Sequence, residues 1–267
     1  MSTGRFVWHD LVTSDVDGAK AFYAELLGWT YESFTGPDGA PAPEGMPPYP
    51  MIVAGAGSTP QGGMMTAQLP GIPPHWIGHV ALPDADAVVE RAKAAGGSVL
   101  FGPFDIPGVG RNVLVGDPQR AAFGVISFAG EGMSVPEGDR PAGSFVWDEL
   151  VTTDVAGARE FYAGVTGWGA RDWDGPVPYA MFTAGDATAA GLMARPPEMQ
   201  APPAWIAYVN VDDVDAAAAK VKALGGVIHA GPFPVPTIGR IAVIGDPQGA
   251  VLGLIQPDLS GMGAGGS

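Results

Sequence analysis

The chain repeats itself. Phe6–Trp29 (FVWHDLVTSDVDGAKAFYAELLGW) and Phe145–Trp168 (FVWDELVTTDVAGAREFYAGVTGW) are identical at 15 of 24 positions, and Trp76–Ile126 matches Trp205–Ile255 at 23 of 51. A repeat of about 130 residues is too long for a solenoid unit and is the size of a whole small domain. The 267 residues therefore divide into two homologous domains, 1–129 and 144–258. A linker rich in Gly, Pro and charge, 130–143, joins them, and a glycine-rich tail, 259–267, follows and is expected to be floppy. Any functional site is expected as a related pair, and a difference between the copies can be read as a change of function.

Each copy divides again. Arg5–Thr13 alternates like a strand. Over Asp15–Leu27 the apolar residues Val16, Ala19, Phe22, Tyr23 and Leu26 fall on one helical face; Ser14 or Asp15 can cap that helix and Gly28 ends it. Short strands follow at 29–34, 49–54 and 62–67. The pattern then restarts with a strand at 76–82, a helix over 84–95 closed by Gly96-Gly97, and strands at 98–101, 112–115 and 122–128. Corresponding helices are expected near Val155–Val165 and Val214–Leu224. The fold class is α+β, with four βαβββ modules in two tandem domains.

Composition narrows the function. The chain has no cysteine, which excludes disulfides, thiolate catalysis and thiolate metal ligands. Its formal charge of −15 argues against nucleic acid or an anionic membrane as a partner, because both need basic patches. No apolar run approaches the roughly 20 residues that cross a bilayer, and the N-terminus MSTGRFVWHD has no apolar signal segment. A cytoplasmic location is expected. No phosphate loop, dinucleotide fingerprint or nucleophile elbow is present.

The strand–helix phrase with the ending D-x-x-x-A-x-x-FY and then GW resembles the vicinal oxygen chelate superfamily, which includes glyoxalase I, bleomycin-resistance proteins and extradiol dioxygenases. The later phrases GPFDIPGVGRNVLVGDPQRAAFG and GPFPVPTIGRIAVIGDPQGAVLG support the resemblance, which covers nearly the whole chain. The tandem form with W-x-(D/E)-L-x-T-x-D is similar to an actinobacterial subgroup described as glyoxalase-like or hydroxylase-like, some members of which are associated with antibiotic biosynthesis. The resemblance implies curved mixed sheets forming ligand cups, with helices on the outer, convex side. It also implies where a metal would be held: at the first strand, the central strand and the last strand of each domain. Aligned on Asp15, those positions are Trp8, Ile77 and Gly124, and Trp147, Ile206 and Gly253 in the second copy. None can ligate a divalent ion. A shift by one residue would bring in His9, but its counterpart is Asp148. The expectation is a cup with no metal and no cofactor.

Strand alternation proposes what lines such a cup. Trp8, Asp10 and Val12 face it together, as do Trp147, Glu149 and Val151; Ile77, His79 and Ala81 correspond to Ile206, Tyr208 and Asn210. Asp10 and Glu149 are candidate general bases or ligand acceptors, or else carboxylates tied to rim backbone. His79 and Tyr208 can donate and accept protons, or serve as satisfied polar groups in a half-buried sheet. Trp8, Tyr49, Met51 and Ile77, with Trp147, Tyr179, Met181 and Asn210, are candidates for ligand contact, and packing accounts equally well for the Tyr and Met pairs. Arg111 and Arg240 could clamp an anion, although a structural salt bridge closing the turn is preferred. Trp29, Trp168, Trp76 and Trp205 are expected to pack under helices, and His9, His75 and His229 to be framework or surface.

The ligand expected is a small, flat, partly polar organic molecule that stacks on indole. Three functions compete: a metal-independent enzyme using Asp10, Glu149, His79 and Tyr208 for proton transfer, a binding protein that sequesters the compound, and a metal-dependent lyase or dioxygenase with relocated ligands. The chain is expected to be a monomer with an internal pseudo-dimer. Cups could form within a domain or across the two, and analogy with dimeric single-domain relatives favours the crossed arrangement. The first copy is nine residues longer within 35–48, where a lid or a neutral insertion is expected.

Overall fold

The computed structural model describes residues 3–35, 47–55, 57–67, 71–130 and 140–258. The expected lid lies largely outside these residues, as do most of the linker and all of the tail.

Each copy folds as anticipated. In the first, β1 (Phe6–Thr13), α1 (Val16–Leu27), β2 (Thr30–Ser33), β3 (Pro50–Val53) and β4 (Gly62–Thr66) form one module. The second comprises β5 (His75–Ala81), α2 (Ala85–Ala94), β6 (Ser98–Ile106), β7 (Gly110–Gly116) and β8 (Ala122–Phe128). The other copy repeats this with β9 (Phe145–Thr152), α3 (Val155–Thr166), β10 (Gly169–Asp172), β11 (Ala180–Ala184) and β12 (Ala187–Ala194). Then come β13 (Ala204–Asn210), α4 (Val214–Ala223), β14 (Val227–Val235), β15 (Gly239–Gly245) and β16 (Val251–Pro257). All four helices start the same way. The carboxylates of Asp15, Asp84, Asp154 and Asp213 each accept from the amide three residues on, at 2.9 Å, which satisfies a donor that the first turn leaves free. Gly28 and Gly167 close α1 and α3 in the left-handed region, at φ 69° and 78°. β6 runs past the GPF segment to Ile106, farther than its sequence pattern suggests, because two register shifts let it keep pairing with β7.

The strands form two eight-stranded mixed sheets, ordered β2-β3-β4-β1-β5-β8-β7-β6 and β10-β11-β12-β9-β13-β16-β15-β14. This overturns the crossed arrangement. Both modules of a copy share one sheet, with β1 antiparallel to β5 and β9 antiparallel to β13. Asp10 therefore meets His79, and Glu149 meets Tyr208, each within its own copy.

What crosses between copies is the core. Side chains on the helix face of the first sheet, including Leu11, Trp29, Ile52, Met64 and Trp76, join one apolar cluster with Val214, Ala217 and Val221 of α4. The reciprocal cluster joins Val88, Val89 and Ala92 of α2 to Phe161, Tyr162 and Val165 of α3. The four tryptophans expected under the helices are here. Two phenols span the boundary: Tyr23 donates to Asp246 at 3.1 Å and Tyr162 to Asp117 at 3.2 Å. Each of these carboxylates also accepts backbone amides of its own turn, Asp246 from Gln248, Gly249 and Ala250, and Asp117 from Ala121. Trp29 donates to the carbonyl of Gly143 and Trp168 to that of Gly4, at 2.6 and 2.7 Å. At the pseudo-two-fold axis His9 meets its own counterpart, with Nε2 2.8 Å from Asp148 Oδ1, and its ring stacks on Phe145 at 4.0 Å. Among the described residues no helix is long and apolar enough to cross a membrane.

Removing a partner from a buried hydrogen bond to a carboxylate typically costs about 1–3 kcal/mol. Tyr23→Phe and Tyr162→Phe are each expected to lower stability by that amount in urea denaturation, with the two copies still unfolding in one transition. Two separate transitions would show that the shared core does not couple them.

Candidate functional site

The face of each sheet opposite the helices carries the expected polar residues. Alternation along β1 sends His9 and Leu11 to the core and Trp8, Asp10 and Val12 to the other side. A shift in register at Val7 adds that residue to the same side, where it packs with Ala81 and Ile126.

In the first cup these groups form a connected set. Asp10 Oδ1 accepts from Trp8 Nε1 at 2.9 Å and makes a short hydrogen bond with the Tyr49 phenol, which also accepts from Trp8 at 2.7 Å. Asp10 Oδ2 lies 3.0 Å from His79 Nε2, an ion-pair contact at an angle poor for a hydrogen bond. Nδ1 of the same ring meets Asn112 Nδ2 at 3.0 Å. Asn112 Oδ1 is buried without a protein partner. Asn112 was not among the residues expected at the site. Its counterpart, Ile241, is apolar, so comparison of the copies showed no recurring polar position.

The second cup keeps the plan and changes the chemistry. Tyr208 donates to Glu149 Oε1 at 3.0 Å, Trp147 donates to the Tyr179 phenol at 3.0 Å, and Tyr179 also bonds Glu149. Met193, Met199, Ile241 and Ile255 pack around Val151, Ile206 and Tyr208. The two carboxyls respond in opposite directions. Burial pushes Asp10 up, but the His79 imidazole, by contact and charge, and the donors Tyr49 and Trp8 outweigh it and hold the pKa below the usual carboxylate value. Burial dominates at Glu149 and raises it, because Tyr179 and Tyr208 offer only neutral hydrogen bonds. Burial and the adjacent carboxylates push the phenols of Tyr49, Tyr179 and Tyr208 upward.

Glycines make room for these rings. A Cβ at Gly124 would collide with the His79 ring and one at Gly253 with the Tyr208 ring, while Gly63 and Gly191 leave space for Tyr49 and Tyr179. Gly124 and Gly253 are positions where the superfamily resemblance places a metal-binding Glu. Here the space that such a side chain would enter is filled by a neighbouring ring. Ile77 and Ile206 are buried alkyl groups, and among the described residues no three His, Asp or Glu side chains converge. The residues present do not fit a divalent ion at those positions.

Other expected site residues separate. Met51 and Met181 alternate with the core residues Ile52 and Phe182, which places them on the cup side. Arg111 and Arg240 lie on the helix side. Arg111 is tied to Asp86 at 2.7 Å and Asp105 at 2.9 Å, and Arg240 to Asp215 at 2.8 Å, so neither is a cup residue; the expected bridge across the turn forms in the first copy, and in the second the arginine pairs with the helix instead. Asn210 serves the framework as well. Its Oδ1 accepts from Ser144 N at 2.9 Å and its Nδ2 donates to Arg140 O at 3.0 Å, which fastens the start of β9. In exchange the GPF motif contributes a wall. Phe104 pairs with Asn112 and Phe101 with Leu114 across β6 and β7, so both rings share the cup face; their centroids are 5.2 Å apart and they are 36% and 61% exposed. In the second cup Phe233 pairs with Ile241. The repeat of GPF was visible in the sequence, but its direction depended on the bulge in β6.

The opposite pKa directions give opposite pH dependence. The stabilisation from Asp10 is present above its unfolded value of about 3.9 and is lost as pH falls through its lower folded value. For Glu149 the contribution is present below an unfolded value of about 4.3 and is lost as pH rises through the raised folded value. At pH 8, Asp10→Asn is expected to destabilise by about 1–3 kcal/mol, whereas Glu149→Gln stabilises or leaves stability unchanged. At pH 4 the Glu149 difference shrinks, whereas that of Asp10 largely remains because its folded value lies lower still. Urea titrations at the two pH values check this; equal losses from both variants at pH 8 would contradict the assignment.

Comparisons with known proteins agree with this architecture. The model of the Glyoxalase/Bleomycin resistance protein/Dioxygenase superfamily matches residues 5–124 and 144–254. A protein of Mycobacterium tuberculosis provisionally named glyoxylase CFP32 is 36% identical over 253 residues, spanning 94% of both chains. Anthracycline biosynthesis protein DnrV of Streptomyces peucetius is 30% identical over 263 residues, spanning 95% of this chain and 93% of its own. Among solved structures, a Mn(II)-bound glyoxalase from Novosphingobium aromaticivorans superposes with a TM-score of 0.60 at 20% identity, over 96% of this chain and 82% of that one, a likeness of fold.

Proposed function

From the premise that the chain belongs to the Glyoxalase/Bleomycin resistance protein/Dioxygenase superfamily, we propose that it is a metal-independent small-molecule cup protein that binds an aromatic, polyketide-like metabolite, chiefly in its first cup. The observation that carries this reading is the connected set Trp8–Tyr49–Asp10–His79–Asn112. Every oxygen of Asp10 is engaged by protein groups, so the set holds an indole and a phenol in place before any ligand arrives. A platform organised in advance loses less freedom on binding. The Phe101–Phe104 pair offers a second aromatic surface for a flat ring system. The likeness to an anthracycline biosynthesis protein supports the same class, since anthracyclines are planar polycyclic aromatics. The protein is proposed to act as a monomer, because the second copy already covers the helix face that a single copy would leave bare.

The contact between His79 and Asp10 favours a second reading, in which this pair moves a proton on the bound ligand, with Glu149 and Tyr208 as the corresponding pair in the other cup. Both readings dispense with a metal.

Chelator-dialysed protein titrated with a dihydroxyanthraquinone is expected to show saturable quenching of tryptophan fluorescence. Trp8→Ala should weaken binding about tenfold or more, the equivalent of about 1.4 kcal/mol, and Trp147→Ala should weaken it less. Recovery of the ligand with unchanged mass and no solvent deuterium at carbon supports binding alone, and deuterium incorporation at carbon above the protein-free control supports proton transfer. Absence of saturable binding, or binding that requires added Mn, Fe, Ni or Zn, would overturn the proposal. Light scattering should give a mass near 27.2 kDa.

A further inference from the structure

We propose that a third site, a cleft on the pseudo-two-fold axis, binds a small oxyanion, the carboxylate or phosphate group of a metabolite. The cleft encloses about 430 Å³ and takes its walls from both copies: the start of β1 and the turn before β4 on one side, the start of β9 and β12 on the other. The buried His9–Asp148 pair borders it.

Two guanidiniums line it, Arg5 and Arg140, out of only 13 basic side chains in a chain of net charge −15. Burial lowers the pKa of Arg140 and the nearby charge of Arg5 lowers it further, with Asp148 opposing both. Like charges thus sit within each other's field in a part-buried recess, where an anion relieves their repulsion. Arg140 donates to the carbonyl of Phe145, which anchors its guanidinium at the cleft. Guanidinium forks match carboxylate and phosphate oxygens, and Thr59 adds a hydroxyl to the lining.

The two arginines are not repeats of one another. The counterpart of Arg5 is Ser144 and that of Arg140 is Met1, so neither charge is part of the duplicated design. Gln61 does the structural work nearby. It donates to Gly143 O at 2.8 Å and accepts from Phe145 N at 3.0 Å, which clips the copies together without calling on Arg5.

Calorimetric titration of the full chain with inorganic phosphate and, separately, benzoate, at low ionic strength, tests this. Saturable one-site binding of either probe is expected; phosphate alone assigns a phosphoryl group and benzoate alone a carboxylate. Arg5→Gln should weaken binding tenfold or more, Arg5→Lys should weaken it less, and the surface change Lys93→Gln should alter it less than twofold. Trp8→Ala should leave the isotherm unchanged, which separates this site from the first cup. No saturation by either probe at millimolar concentration, or equal binding by Arg5→Gln and the parent, would overturn the proposal. Cooperative unfolding of Arg5→Gln is checked in the same buffer, and if that variant does not fold, equal binding by Arg5→Lys and Lys93→Gln overturns the proposal.

Discussion

Each sheet of this protein is covered by helices from both copies, and the rest of the structure depends on that mutual cover. A mixed sheet with one apolar face must bury it. Here α4 helps to close the cluster beneath β1 and β5, and α3 the cluster that α2 begins. The phenols of Tyr23 and Tyr162 make the exchange specific, because each reaches an aspartate that also organises a turn of the other copy. Apolar cover alone would tolerate sliding; a buried carboxylate with a single phenol in reach does not.

Strand alternation lets this cover and the cups coexist. With successive side chains pointing to opposite faces, Leu11 and His9 serve the junction between copies while Trp8 and Asp10, their immediate neighbours, serve the cup. The junction and the cups can therefore diverge separately. At the axis, duplication has let a position that meets its own counterpart become His9 in one copy and Asp148 in the other, an unlike pair that an identical dimer could not make at that point. In the cups the same freedom has produced Asp10 with an imidazole and Glu149 with two phenols. The carboxyls shift in opposite directions because only one of them faces a group that can carry positive charge.

Glycine governs how full these cups are. At Gly124 and Gly253 the missing side chain is replaced by a ring from the adjacent strand, and at Gly63 and Gly191 by a tyrosine that leads into the adjacent strand. Solved structures that share the fold are 20% and 12% identical to this chain, so likeness of backbone alone does not transfer their chemistry. What the cup can do is decided by the rings that occupy it.

The sequence by itself determined the duplication, the four βαβββ modules, a cap for the first helix at Ser14 or Asp15, and the shared strand face of Trp8 with Asp10 and of Trp147 with Glu149. All of these follow from local periods of 2 and 3.6 and from comparing one copy with the other. Only the tertiary structure decided that both modules of a copy share a sheet, that Arg111 and Asn210 serve the framework, and that Asn112, Phe101 and Phe104 belong to the first cup. The physical reason is that these outcomes turn on long-range closure. A bulge of one residue reverses the face that a side chain presents, as in β1 and β6. A buried polar group takes whichever partner the fold brings within about 3 Å, and neither period carries that information.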